Sequence, residues 1–261
     1  MGQAKRRLLN MKRVHPRCCI CAGGSPTETI EHAPPKIMFW GKLRPKGMEV
    51  PACKRCNSEK SRMDQLAAFC AFSQYVDPIN GYSDEKMRDF EKVSQGCINN
   101  IPDMRDLFKL PPDNGEKYQA VIFDNQRLFI EKLNPWAAKQ ALAHWFHFTD
   151  GRVFPSEGLI AIRWLTNVEL SQNAKVFTDL LRMLGRSSGL KQGQWDVDDQ
   201  FFIRWNINNE EKIGAMLCRY HGTAFVAALV EDQELLQTGV ELLGGIGSTF
   251  KTNAISGIYE V

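Results

Sequence analysis

The chain has 261 residues, 24% of them charged and 43% hydrophobic, with a mean hydropathy of -0.33, a balance that fits a globular protein and excludes disordered and collagen-like compositions. Its most apolar uncharged stretch, 223–230, falls far short of the about 20 residues that cross a bilayer as a helix. The net charge of +3 hides an asymmetry: residues 1–62 hold fourteen Lys and Arg against four acids, a net of +10, and the remainder holds nineteen against twenty-six, a net of -7. A basic first quarter on an acidic body points to a polyanionic partner, because Lys and Arg neutralise phosphate whatever its sequence.

Residues 1–17 read as a basic arm carrying Lys5, Arg6, Arg7, Lys12 and Arg13. They lack the apolar core of a secretory signal, and Arg6 stands where a myristoylation motif has Ser or Thr. The expectation is a cytoplasmic protein, with the arm itself a solvated tail. Five of the eight cysteines (Cys18, Cys19, Cys21, Cys53 and Cys56) lie in the same quarter. Without an export signal, clustered thiols read as metal ligands, not disulfides. Cys18-x-x-Cys21 and Cys53-x-x-Cys56 are two-ligand knuckles that together predict a closed, tetrahedral, structural zinc site. Such a site holds a segment of about sixty residues whose own core is too small. Pairing Cys19 with Cys21 leaves one intervening residue, which fits a knuckle less well. Cys19, Cys70, Cys97 and Cys218 read as small apolar residues, and His15 is superfluous as a ligand beside four cysteines.

Between the knuckles runs Thr29-Ile30-Glu31-His32-Ala33-Pro34-Pro35-Lys36, then Phe39 and Pro45, and the second knuckle sits in Val50-Pro51-Ala52-Cys53-Lys54-Arg55-Cys56-Asn57. An acid-His pair between two knuckles with Asn directly after the second resembles the HNH endonuclease superfamily. The closer resemblance is to zinc-containing bacterial HNH proteins with the pattern C-x-x-C, D/E-H-x-P-P-K, a Phe, a Pro, and V-P-x-C-x-x-C-N. It covers residues 18–64.

That resemblance implies an α+β protein: a zinc-stabilised, treble-clef-like ββα-metal core over 18–76, followed over 77–261 by a mixed body of helices and antiparallel strands. It implies His32 as general base, Glu31 as ligand of a catalytic Mg²⁺ or Mn²⁺, and Asn57 as a second, neutral oxygen ligand. Soft thiolates then hold the frame and hard oxygens hold the reactive cation. Many family members carry a middle Asn that braces the hairpin and orients the histidine. Met48 stands there in this chain, so another group must support His32. Lys36, Lys42, Arg44, Lys46, Lys54, Arg55, Lys60 and Arg62 surround the motif as candidate phosphate contacts. Ser61 and Asp64 follow Asn57 on the same helix; with Lys60 they either line the site or form a solvated face.

The implied function is hydrolysis of DNA with low sequence specificity, in phage defence or restriction of foreign DNA. The alternative is a non-catalytic zinc-binding module that docks nucleic acid or a partner protein, with Glu31 and His32 structural.

Further along, 63–75 reads as a helix closed by Pro78 and Asn80-Gly81, and Ser83 caps a second one through about 93. Residues 117–133 alternate around Asp124-Asn125 as a hairpin. A helix from Pro135 carries His144 and His147 as packing residues. Gly151 to Pro155 is a turn, 168–184 a helix, and 200–207 and 215–230 are strand-like, with turns at Asn208-Asn209 and His221-Gly222. Five of the six Trp lie after residue 130 and read as core.

Overall fold

The computed structural model describes residues 2–42, 44–74, 83–100, 132–187, 191–192, 195–196, 200–210, 212–231 and 248–251. The turn signals at 78–81 and positions 117–131 of the expected hairpin lie outside them.

The N-terminal segment is helix α1 (Gln3–Val14), with Lys12 and Arg13 in its last turn and no buried residue. Its Gln, Ala, Lys, Arg, Leu and Met are strong helix formers, and cations at the C-terminal end suit the helix dipole. The expectation of a solvated segment holds, but the segment is ordered into a helix. After it the chain turns through left-handed Ala22 and Gly23, at φ 50° and 79°. Strand β1 (Thr29–His32) then pairs antiparallel with β2 (Glu49–Ala52), placing Glu31 opposite Val50 and His32 opposite Glu49. Helix α2 (Lys54–Ser73) starts at the N-cap residue Cys53 and continues unbroken from the second knuckle through the segment expected to be helical.

Helix α3 (Asp84–Asn100) packs beside α2, with Phe69 stacked on Phe90 at 5.7 Å. Ser83 Oγ accepts from the Lys86 N–H at 3.4 Å, as expected of a cap, while the helix runs past position 93. Next come α4 (Asn134–Phe148), β3 (Leu159–Leu165), α5 (Asn167–Gln172) and α6 (Ala174–Leu184). The single helix expected over 168–184 is therefore two. At the break, Asn173 Nδ2 donates to the Glu169 carbonyl, and a side chain that bonds its own backbone competes with the helix. Strands β4 (Arg186–Ser187), β5 (Lys191–Gln192), β6 (Trp195–Asp196), β7 (Phe201–Asn208), β8 (Ile213–Tyr220), β9 (Thr223–Val230) and β10 (Ser248–Lys251) complete the described elements. A six-stranded antiparallel sheet runs β10-β3-β9-β8-β7-β4, and β5 and β6 form a separate ribbon. The protein is thus α+β with antiparallel sheets.

Helix α4 is buried from Asn134 to Phe146, with β3 and β9 on one side and α2 and β2 on another. Its Ala, Leu, Trp and Phe residues lie on all sides, which suits a helix held inside, and its buried Asn134, Lys139, Gln140 and His144 are the polar exceptions. One core joins Phe39 and Phe72 to Trp136, Trp145, Ile162, Phe201 and Tyr220, so the N-terminal module and the sheet share it. The opposite face of the sheet is covered by α5 and α6, through Leu170, Leu180 and Leu184 against Leu217 and Val226.

Three contacts from the body hold the loop between β1 and β2. Gln200 Oε1 accepts from the Trp40 N–H at 2.8 Å, Asp89 Oδ2 accepts from the Gly41 N–H at 3.0 Å, and His221 Nε2 donates to the Met38 carbonyl at 2.8 Å. Two polar links cross from α2 to α4. Lys139, with no exposed surface, places Nζ 3.0 Å from Glu59 Oε2, and Trp136 Nε1 donates to Asp64 Oδ1 at 2.7 Å.

Removing the acid leaves the fully buried Lys139 ammonium without its partner, so Glu59→Gln should lose about 3 kcal/mol in urea unfolding. Lys139→Met combined with Glu59→Gln should recover most of that loss, and an additive double variant would sink the assignment.

Burial lowers the His221 imidazole to about 4. Above the ordinary value of 6.5 the residue is neutral in both folded and unfolded chains. As pH falls from there towards 4, the unfolded chain takes up a proton that the folded chain refuses, so this contribution to stability is lost. His221→Asn, which tolerates the local φ of 50°, should lack that loss. The stability gap between wild type and His221→Asn should shrink by about 3 kcal/mol between pH 7 and pH 4 in urea titrations.

Candidate metal centre and adjoining cleft

The ligand atoms of Cys18, Cys21, Cys53 and Cys56 all lie within 4.8 Å of one another, and all four residues are buried. Four sulfurs at about 2.3 Å from a tetrahedral zinc ion stand about 3.8 Å apart. The cluster can therefore hold a structural metal such as zinc.

The backbone explains the selection of these four. The Cys18 N–H donates to the Ser25 carbonyl at 2.9 Å, and the Cys18 and Cys21 carbonyls accept from Gly23 and Gly24, each at 2.9 Å. A Cβ at Gly24 would stand 3.1 Å from the Cys21 carbonyl oxygen, which favours glycine there. At the second knuckle, Cys53 Sγ accepts from the Cys56 N–H at 3.4 Å. Cys19 is buried outside the cluster, and its N–H is bonded to the Pro51 carbonyl at 3.0 Å, tying the first knuckle to β2. The choice between Cys18 and Cys19 thus falls to Cys18. His15 packs edge-on against Phe146 at 4.9 Å. Hydrogen bonding among the sulfurs raises the Cys18 and Cys56 thiols, lowers Cys53 and brings Cys21 to about 6. Sulfurs this close share protons unevenly, and a divalent cation lets all four become thiolates.

Beside the cluster, a cleft of about 330 Å³ opens between β1, the loop after it and α2. It is lined by Ile30, Glu31, His32, Pro35, Lys36, Ile37, Asn57, Ser61, Asp64 and Gln65. Three residues singled out in the sequence, Glu31, His32 and Asn57, thus meet in one cavity. Glu31 is only 7% exposed, and a carboxylate so buried needs a cation or donors around it. Asn57 Nδ2 donates to Thr29 Oγ1 at 3.1 Å, which leaves its amide oxygen as the group able to ligate. Both are hard oxygen donors, the type that Mg²⁺ or Mn²⁺ prefers, and both residues line the same cleft.

His32 Nδ1 lies 3.6 Å from Glu49 Oε1. Burial lowers the His32 imidazole, the Arg44 charge lowers it further, and Glu49 and Glu31 act in the opposite sense. The net downward shift favours the neutral ring at pH 7, the form that accepts a proton. Glu49 also pairs with Arg7 and, at 3.9 Å, with Arg44.

Of the expected phosphate contacts, Lys36 lines the cleft and is exposed, and Lys46 and Arg62 are exposed outside it. Lys54 and Arg55 each stand 3.9 Å from an acid, Glu28 and Glu59, in surface pairs too weak to withhold them from a ligand. Arg44 is half-buried against Glu49. The side chains of Lys42 and Lys60 lie outside the described residues. Asp64 has its carboxylate held by Trp136. Sequence reasoning passed over Glu49 and Arg7, which the strand register and the folding of α1 bring to the site.

Set against known proteins, the chain matches no family model, no curated protein and no solved structure. The functional reading rests on the residues of the cleft and the cysteine cluster.

The purified chain should carry a single zinc ion by elemental analysis. Cys56→Ser should lose it together with several degrees of thermal stability, and Cys19→Ser should retain it. Retention of the metal by Cys56→Ser would exclude the four-thiolate site.

Proposed function

We propose that the protein is an HNH-type, metal-dependent endonuclease that hydrolyses DNA phosphodiester bonds, with zinc at Cys18, Cys21, Cys53 and Cys56. In this reading β1, β2 and α2 form the ββα-metal core. The supporting observation is the convergence of Glu31, His32 and Asn57 on one cleft rimmed by Lys36. Glu31 and the Asn57 amide oxygen would hold Mg²⁺ or Mn²⁺, which supplies positive charge to the phosphate oxygens.

His32 then acts on the water. Its neutral ring takes a proton as the water oxygen attacks phosphorus and the P–O bond to the leaving oxygen breaks. Lys36 and Arg44, with the surrounding basic side chains, neutralise the backbone on either side of the scissile group. Such contacts carry no base information, so low sequence specificity is expected. Among the described residues no helix is long and apolar enough to cross a membrane. A role in defence against phage or foreign DNA is part of the proposal, and its check is plaque number on hosts expressing wild type or His32→Ala.

Supercoiled plasmid with Mg²⁺ or Mn²⁺ tests the chemistry. Wild type should nick or linearise it, EDTA should stop cleavage, and His32→Ala should lose at least about 100-fold in rate while keeping its zinc. Glu31→Gln and Asn57→Ala should raise the concentration of divalent ion required. Cleavage by His32→Ala at the wild-type rate would overturn the mechanism. Plasmid that is retarded in a gel but never cut would identify a binding module.

A further inference from the structure

We infer that Glu49 is the positioning residue of His32: its carboxylate, carried across the hairpin on β2, holds the imidazole with Nδ1–H toward Oε1 and presents Nε2 to the cleft. The inference rests on the reading of His32 as the base. The register of β1 and β2 sets His32 directly opposite Glu49, and Nδ1 stands 3.6 Å from Oε1. That separation is one a small side-chain rotation closes to a hydrogen bond, and such bonds commonly tighten only when substrate is bound.

Two features fit Glu49 to this role. Its carboxylate is itself braced: Oε2 takes Arg7 of α1, and Oε1 faces Arg44 at 3.9 Å as well as His32. Arg7 occupies one carboxylate oxygen, and the other is shared between Arg44 and His32. The neighbouring position cannot serve instead. Met48 has its side chain in the core, only 3% exposed, and its carbonyl accepts from the Ala33 N–H at 3.1 Å. The brace for the histidine therefore moves one residue along the strand, to the side chain of Glu49. A carboxylate on one ring nitrogen fixes the tautomer and frees the other nitrogen to accept a proton.

The test uses the zinc-loaded 261-residue chain with ¹⁵N-labelled histidine, in buffer free of added Mg²⁺ and Mn²⁺, beside plasmid cleavage on the same preparations. Wild-type His32 should show the Nδ1–H tautomer, and Glu49→Ala should shift it to a mixture or to Nε2–H. In cleavage, Glu49→Ala should lose about 10- to 100-fold in kcat with KM little changed. Glu49→Gln, whose amide oxygen still accepts from Nδ1–H, should keep the tautomer and lose less. Circular dichroism and zinc content verify folding of both variants.

A wild-type His32 in the Nε2–H form, or a tautomer and kcat unmoved in Glu49→Ala, would overturn the inference while leaving the nuclease reading intact if His32→Ala remains inactive. A tautomer that follows residue 49 in a protein that never cuts DNA would uphold the positioning contact and discard the nuclease reading.

Discussion

Four sulfurs brought within reach of one another fix the geometry on which the site depends. Cys18 and Cys21 precede β1, and Cys53 and Cys56 span the junction between β2 and α2. Closing that ring joins the two ends of the hairpin segment and sets the first turn of α2 against β1. Glu31 and His32 on β1, Glu49 on β2 and Asn57 on α2 each stand within a few residues of a hydrogen bond or ligand position in this frame. The main-chain bond from Cys19 to Pro51 locks the first knuckle to the second strand, so the cluster and the hairpin form one unit.

The rest of the chain takes part in the same construction. Helix α4 meets α2 through Lys139 with Glu59 and Trp136 with Asp64. Two partly buried polar contacts, three residues apart on α4 and five apart on α2, admit one register between the helices. Sliding either helix by a turn would leave an ammonium group in the core without its carboxylate, an arrangement far costlier than any apolar mismatch. Asp64 carries this constraint into the cleft, since its carboxylate both receives the Trp136 indole and lines the cavity.

The cysteine cluster was legible because knuckle spacing is local, and Glu31, His32 and Asn57 were singled out by their resemblance to a known pattern around the knuckles. Glu49 was not legible. Sixteen residues separate His32 from Glu49, and nothing in so long a connection sets strand register. Strand β3 escaped notice for another reason: Leu159–Leu165 is largely buried on both faces, so the alternation that marks a half-exposed strand is missing. Asn173 split an apparently continuous helical pattern through a side-chain bond to its own backbone, which periodicity does not register. The aromatic body read correctly as core at Trp136 and Trp145, both fully buried.

The loop between the strands gives the molecule a property that a motif search would miss. Lys36 forms the cleft rim, and the residues just after it, Met38, Trp40 and Gly41, are held by His221, Gln200 and Asp89, all far along the chain. The loop at the entrance to the cavity is therefore held by parts of the protein that share no sequence motif with its interior. The segment between the cysteine pairs is not a cassette that can be lifted out and grafted elsewhere with its opening intact. Related chains that keep the knuckles and the acid-His pair but carry a different body would present the same interior behind a differently shaped mouth.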